Sequence, residues 1–198
     1  MTSTDRVVYT PVKIDLHVHS AASSNRDGTL VKDGTVQNID VLFRRLEDNH
    51  VNMAAITDHD CFDFEVYDAL RKKVGEAEHL QCVLPGVEFT VCFATADGDK
   101  PVHVITIFDD SKPELVKEIE HAIDGHRTQY DENGSFSEDE YWSIIRDIGL
   151  DIVTIAHQKN SPTSATRKPN DANSVGDDLF NEFLFLDYFE AYEYRNRR

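Results

Sequence analysis

The segments Asp15-Leu16-His17-Val18-His19 and Thr57-Asp58-His59-Asp60 hold the residues best suited to chemistry. Positions i and i+2 of a strand project from one face, so His17 and His19 can aim two imidazoles at one point if residues 12–18 are extended. Glu88, His103 and His157 join them, each inside or at the end of an apolar run. A lone core histidine bonded to a backbone carbonyl is commoner than a metal ligand. Five imidazoles and a carboxylate on separate strands argue instead for a metal centre: His17, His19, His59, His103, His157 and Glu88. Such donors suit Mn, Zn or Fe rather than Ca or Mg. The set exceeds the needs of one ion, and a carboxylate such as Glu88 can bridge two. Two ions roughly 3.5–4 Å apart are the usual device for phosphoester hydrolysis, one bound water becoming hydroxide near neutral pH.

The elements that must position these residues follow from hydrophobic pattern. Residues 12–18 alternate and are β-branched, which predicts a strand. Met53-Ala54-Ala55-Ile56 predicts a second, fully buried strand ending at Asp58-His59. Between them, 20–36 is rich in Ser, Asn, Asp, Gly and Thr and reads as a long functional loop, and 39–46 has helical spacing. Helix 62–74 follows, then a longer strand 81–93 broken by Pro85-Gly86, a turn over 94–100 and a strand over 102–108. Residues 114–129 are helical by pattern, and 131–134 is an acidic surface turn. Ser137 and Glu140 form a capping box that opens a helix ended by Gly149. Strand 151–156 ends at His157, a polar loop spans 158–176, a helix covers 177–186 and a last strand 188–194. No internal repeat or linker divides the chain. The alternation predicts an α/β fold with a mainly parallel sheet, its ligands at the carboxyl rim of a barrel.

Composition narrows the class. The 198 residues suit one domain with a good core. Lys+Arg 20 against Asp+Glu 37 gives a net charge of −17, which argues against a chain that grips nucleic acid through its phosphates. Bound cations would add positive charge that this count omits. Cys61, Cys82 and Cys92 are an odd number without a close pair, which fits a reducing cytosol. Cys61 follows the second motif closely, though a small buried hydrophobe is the commoner role. No apolar run approaches the eighteen or so residues that span a bilayer, so the expectation is a cytoplasmic protein without membrane contact. His50, His79, His121 and His126 fall on helices or polar connections and read as surface residues. Arg26, Lys159 and Arg167 lie in the long loops and could meet a phosphate, although most loop cations are merely solvated.

In these motifs the chain resembles the PHP (polymerase and histidinol phosphatase) family of metal-dependent phosphoesterases. The motifs are Asp15-Leu16-His17-Val18-His19-Ser20 with Asp27-Gly28, Ile56-Thr57-Asp58-His59-Asp60, Pro85-Gly86-Val87-Glu88-Phe89, Val102-His103-Val104 and Ile155-Ala156-His157. The resemblance implies a distorted (β/α)7 TIM-like barrel, one domain over 1–198, with two to three divalent transition-metal sites. It implies one ion on His17, His19 and Glu88, a second on Glu88, His103 and His157, and a third facing Asp27 and His59. Asp58 and Asp15 would assist catalysis by accepting hydrogen bonds that orient ligand imidazoles, the alternative for either being a plain structural hydrogen bond to backbone.

Two departures stand out. Gln158 occupies the place of the family's usual proline, and the closing Gly-x-Asp-x-His-like motif is not reached before Arg197-Arg198. Either the chain is a fragment lacking the last strand, or it is a reduced domain with weakened ion sites. The first is the expectation, with an SMC-like ATPase domain as a possible continuation by analogy. The implied activity is hydrolysis of a phosphomonoester or phosphodiester, in a phosphorylated small molecule or a nucleic acid, by metal-activated hydroxide. The alternatives are a metal-binding regulatory module of a larger ATPase or polymerase assembly, or a nuclease.

Overall fold

The computed structural model describes residues 11–94, 98–127, 134–156 and 189–192. The elements in chain order are β1 (Ile14–Val18), α1 (Ser24–Asp27), α2 (Ile39–Asp48), β2 (Met53–His59), α3 (Phe64–Lys73), β3 (Cys82–Phe93), β4 (Lys100–Phe108), α4 (Pro113–Val116), α5 (Glu118–His126), β5 (Phe136–Ser137), α6 (Glu138–Ile148), β6 (Ile152–Ala156) and β7 (Ala191–Tyr192). The expected loop over 20–36 is largely wound into α1 and short 3-10 turns. Residues 114–126 are helical apart from a break at Lys117, whose own dihedrals stay helical.

The strands form one sheet in the order β1-β2-β3-β4-β6-β7, with β5 attached to β3. β1, β2 and β3 run parallel, whereas β4 is antiparallel to both β3 and β6. The fold is therefore mixed α/β, with a curled sheet compatible with part of a barrel. The sheet is mainly parallel, as expected, with β4 the exception: it pairs antiparallel with both β3 and β6, so the strand–helix alternation is interrupted there. A correction is needed at Pro85-Gly86, where β3 continues without a break. Pro85 pairs with Ile56 of β2, but pairing with β4 starts only at Gly86, so no partner there needs a proline N–H.

Strand alternation sorts the side chains into two faces. On one, Ala54 and Ile56 of β2, Val83, Val87, Phe89 and Val91 of β3, and Val102 and Val104 of β4 meet the helices. The helices contribute Leu46, Val66, Leu70, Ile119, Ile123, Tyr141 and Ile144 to that core. Helix α6 is fixed at both ends, by the Ser137–Glu140 capping box and by Gly149 in the left-handed region at φ 68°. Among the described residues the opposite face carries a small apolar cluster, Ala55, Ile105 and Ile107 with Leu16, Leu84 and Ile155. His59, Glu88 and His103 share that second face by the same period-two count. The apolar core thus does not depend on the polar face.

Gly86 sits where the layers are tightest. A Cβ there would meet Thr57 Cγ2 at 2.8 Å, Ile107 Cδ1 at 3.0 Å and the Thr106 carbonyl oxygen at 3.1 Å. Gly86→Ala is expected to destabilise the fold by about 1–3 kcal/mol through overpacking, read from denaturant midpoints.

A second stability term lies at the end of α2. The Glu47 carboxylate accepts backbone N–H groups of Glu78, His79 and Leu80 at 2.8, 3.1 and 2.7 Å. Burial opposes ionisation, but these bonds hold the carboxyl below its ordinary value of 4.5. Its contribution should be complete above that value and disappear as pH falls through the lowered one. Glu47→Ala should lower the unfolding midpoint at neutral pH, and the gap from the parent protein should close in acid.

Candidate metal centre

Glu88 is fully buried, and four imidazoles surround its carboxylate. His17 Nε2 lies 3.0 Å, His59 Nδ1 3.2 Å and His19 Nε2 3.4 Å from Oε2, while His103 Nδ1 is 2.7 Å from Oε1. Each side chain arrives by a separate route. His17 lies in β1 and His19 just beyond it, after a register irregularity between Asp15 and Val18. His59 ends β2 directly beside Glu88 in the parallel ladder. His103 pairs with Thr90 in the antiparallel ladder and so shares Glu88's face one step along. The rings of His17, His19, His59 and His103 form a chain of neighbours with centroids 4.8–4.9 Å apart.

Asp27, at the end of α1, completes the cluster. Its Oδ1 is 3.5 Å from His59 Nε2, and its Oδ2 is 3.5 Å from His19 Nδ1. The donors fall into three overlapping groups able to hold an ion: His17-His19-Glu88, His59-Glu88-His103 and His19-Asp27-His59. Within each group the ligand atoms lie within 4.8 Å of one another. The first group has the composition implied by the resemblance. The other two regroup it, because His59 reaches Glu88 as well as Asp27, and His19 stands beside Asp27. His157 lies outside the described residues.

Electrostatics suit cations here. His59 Nδ1 and Asp27 Oδ2 are buried without a hydrogen-bond partner among the described residues, an arrangement a shared cation would satisfy. Burial pushes the His59 pKa down and favours neutral imidazole, the form that ligates. Burial alone would raise the pKa of Glu88, but hydrogen bonds from His103 and His17 outweigh it and hold the carboxyl far below its usual range.

The two aspartates bond backbone and loop groups directly, and Asp58 reaches His19 only through Ser23. Asp15 Oδ1 accepts the His17 backbone N–H at 3.3 Å. Asp58, itself buried, accepts the Ser20 N–H and hydroxyl, both at 2.6 Å, and the Ser23 hydroxyl at 2.9 Å. Burial raises its pKa, and the serine bonds offset this only in part. Ser23 Oγ also accepts the His59 N–H at 2.8 Å and lies 3.2 Å from His19 Nδ1. Since its one proton goes to Asp58, the contact with His19 requires Nδ1 to donate. That assigns the tautomer from the bonding network and turns His19 Nε2, as acceptor, towards Glu88.

Sequence reasoning missed Ser20, Ser23, Asp60 and Arg127. Ser20 and Asp60 stand inside the two histidine motifs without having been given a role there, which was a usable signal; Ser23 and Arg127 had none. Asp60 is a non-glycine residue at φ 53°. Its carboxylate accepts the Thr90 N–H and hydroxyl and the Arg26 guanidinium. His50 and His79 pair with each other at 2.7 Å and His126 lies 3.0 Å from Asp147, away from the cluster, as is His121. Cys61 lines a cleft beside His59, its thiol pushed up to about 12 by burial. Lys159 and Arg167 lie outside the described residues.

No protein-family model matches the sequence, and no curated protein matches it. The fold does have a solved counterpart. A crystal structure from Bifidobacterium adolescentis, of a protein provisionally described as a metal-dependent phosphoesterase, superposes with a TM-score of 0.54. The likeness covers 93% of this chain and 77% of that one at 15% sequence identity, a likeness of fold. No helix among the described residues is long and apolar enough to cross a membrane.

The serine–aspartate brace can be tested directly. Asp58→Ala should weaken metal binding by roughly ten- to hundredfold while cooperative unfolding persists, because the hydroxyls that hold the His19 and His59 segments lose their acceptor. Metal titration followed by calorimetry checks this.

Proposed function

We propose that the chain is a metal-dependent phosphoester hydrolase of the PHP type, with a di- or trinuclear centre. One observation carries the reading: a fully buried carboxylate, Glu88, ringed by His17, His19, His59 and His103, with Asp27 extending the cluster to a third donor group. An ordinary structural histidine needs one partner, whereas here four imidazoles share one carboxylate. The fold likeness to a protein described as a metal-dependent phosphoesterase supports the same chemistry.

Divalent ions held there would supply Lewis acidity and a water of lowered pKa. The chain's own contribution is placement. Glu88 stands between the His17-His19 side and the His59-His103 side and can serve both. Asp58 and Ser23 keep His19 and His59 aimed. Asp27 closes the outer side, and its half-exposed neighbours leave an approach for substrate. Mn, Zn and Fe are the candidate metals, because the donors are imidazole with carboxylate. The substrate is a phosphomonoester or phosphodiester, in a small molecule or a nucleic acid.

Elemental analysis of the purified, reconstituted protein should find at least two equivalents of transition metal per chain. Chelation should abolish release of 4-nitrophenol from 4-nitrophenyl phosphate, and re-addition of Mn, Zn or Fe should restore it. His17→Ala combined with His19→Ala should remove both metal and activity without loss of cooperative unfolding, since the apolar core lies on the other face. Metal content under half an equivalent would refute the reading. Affinity should also fall as pH drops below the ordinary imidazole value near 6.5, because ligand nitrogens must shed their protons.

A further inference from the structure

Beside the metal cluster lies an open cleft of about 360 Å³, lined by Ala22, Ser23, Asn25, Arg26, His59, Asp60, Cys61 and Arg127. His59 belongs to both, so the cleft adjoins the donor groups without containing them. Two guanidiniums stand in its wall in a chain of net charge −17. Both are held by one residue. Asp60 Oδ2 accepts Arg26 Nη2 at 2.9 Å, and the Asp60 carbonyl oxygen accepts Arg127 Nη2 at 2.8 Å. Further bonds run from Arg26 Nη2 to the Gly134 carbonyl oxygen at 2.9 Å and from Arg127 Nε to Asp124 Oδ1 at 3.2 Å. Asp60 is fixed in turn by Thr90, by its own N–H to the Glu88 carbonyl oxygen at 2.9 Å, and by its left-handed backbone.

We propose that this arginine pair receives a second anionic group of the substrate, such as a non-scissile phosphate, while the scissile phosphoryl lies at the metal cluster. The inference rests on the hydrolase reading and specifies its substrate class: phosphoesters that carry a further phosphate. A guanidinium has five N–H donors, and each arginine commits only one or two nitrogens to the protein. The remaining donors are pre-positioned at no further entropic cost, and guanidinium suits phosphate oxygens bidentately. Asp60 holds both arginines, Arg26 through its buried carboxylate and Arg127 through its backbone carbonyl. Cys61, with its raised thiol pKa, is an inert part of the wall.

The test compares propyl phosphate with 1,3-propanediol bisphosphate on the metal-loaded protein, following inorganic phosphate release. The parent should prefer the bisphosphate. Arg127→Gln, and Arg26→Lys, which keeps a charge for Asp60, should each raise KM for the bisphosphate, together by roughly ten- to hundredfold. Turnover of propyl phosphate should stay within about twofold. Equal loss on both substrates, or no loss on either, overturns the proposal; thermal unfolding of each variant shows whether an equal loss comes from misfolding. If the parent hydrolyses neither compound, the hydrolase reading fails by itself. Calorimetry with the non-hydrolysable 1,3-propanediyl bisphosphonate and propylphosphonate then decides the cleft: tighter bisphosphonate binding that both variants lose sustains it, and equal affinities overturn it.

Discussion

The polar face of this sheet depends on one desolvated charge. A carboxylate buried as fully as Glu88 must be compensated, since an isolated ion in a low-dielectric interior is costly. No lysine or arginine approaches it among its described ion pairs; the compensation comes from imidazole nitrogens. Imidazole can do this by donating an N–H, as His103 and His17 do, by taking a further proton, or by sharing a cation. Protonating four neighbouring rings would set like charges against one another at centroid spacings near 4.8 Å. Burial also disfavours the charged form of His59. Shared divalent cations would compensate Glu88 without that repulsion, so the burial that makes the charge costly also suits the site to metal.

The rest of the fold is arranged so that this face can be polar. β3 is the central element, bonded to β2, β4 and β5, and its odd positions hold the apolar core while Glu88 and Thr90 face the other way. Gly86 lets β3 sit against Thr57 and Ile107 at a separation no larger residue permits. Thr90 then fixes Asp60, and the backbone of Asp60 bonds back to Glu88. The loop after β1 is drawn down onto Asp58 by Ser20 and Ser23. These contacts join β1, β2 and β3 at one rim, where ligands from separate strands must agree in position.

Much of this was legible in the sequence, for definite reasons. Period-two and 3.6-residue patterns located β1, β2, α2, α3 and α6, and the Ser137–Glu140 box set the start of α6. The donors His17, His19, His59, Glu88 and His103 were named from residue type and placement on strands, Asp27 only from the family resemblance, and the structure brings all six together. Their grouping was less accessible, because it depends on which side of Glu88 each ring approaches. Strand β4 turned against β3 by a hairpin, and Pro85 stayed within β3; both outcomes are set by partner strands rather than by local propensity. The partners of Asp58 were not legible for a similar reason. Its partners Ser20 and Ser23 lie 38 and 35 residues away, in a stretch whose composition reads only as loop.

Charge at the rim links metal binding to admission of substrate. Glu88, Asp27, Asp58 and Asp60 converge in a chain already strongly acidic, so a phosphoester approaching this face would meet a negative field. Arg26 and Arg127 offset part of it, but Asp60 and Asp124 engage them. Cations in the donor groups are the larger correction, because each adds two positive charges beside carboxylates that water cannot screen. Occupancy of the centre would therefore do more than supply Lewis acidity: it would change the sign of the local field that an anionic substrate meets. The arginine cleft would then discriminate among phosphoesters best when the centre is loaded, since without that positive background two partly neutralised guanidiniums would face a rim of net negative charge.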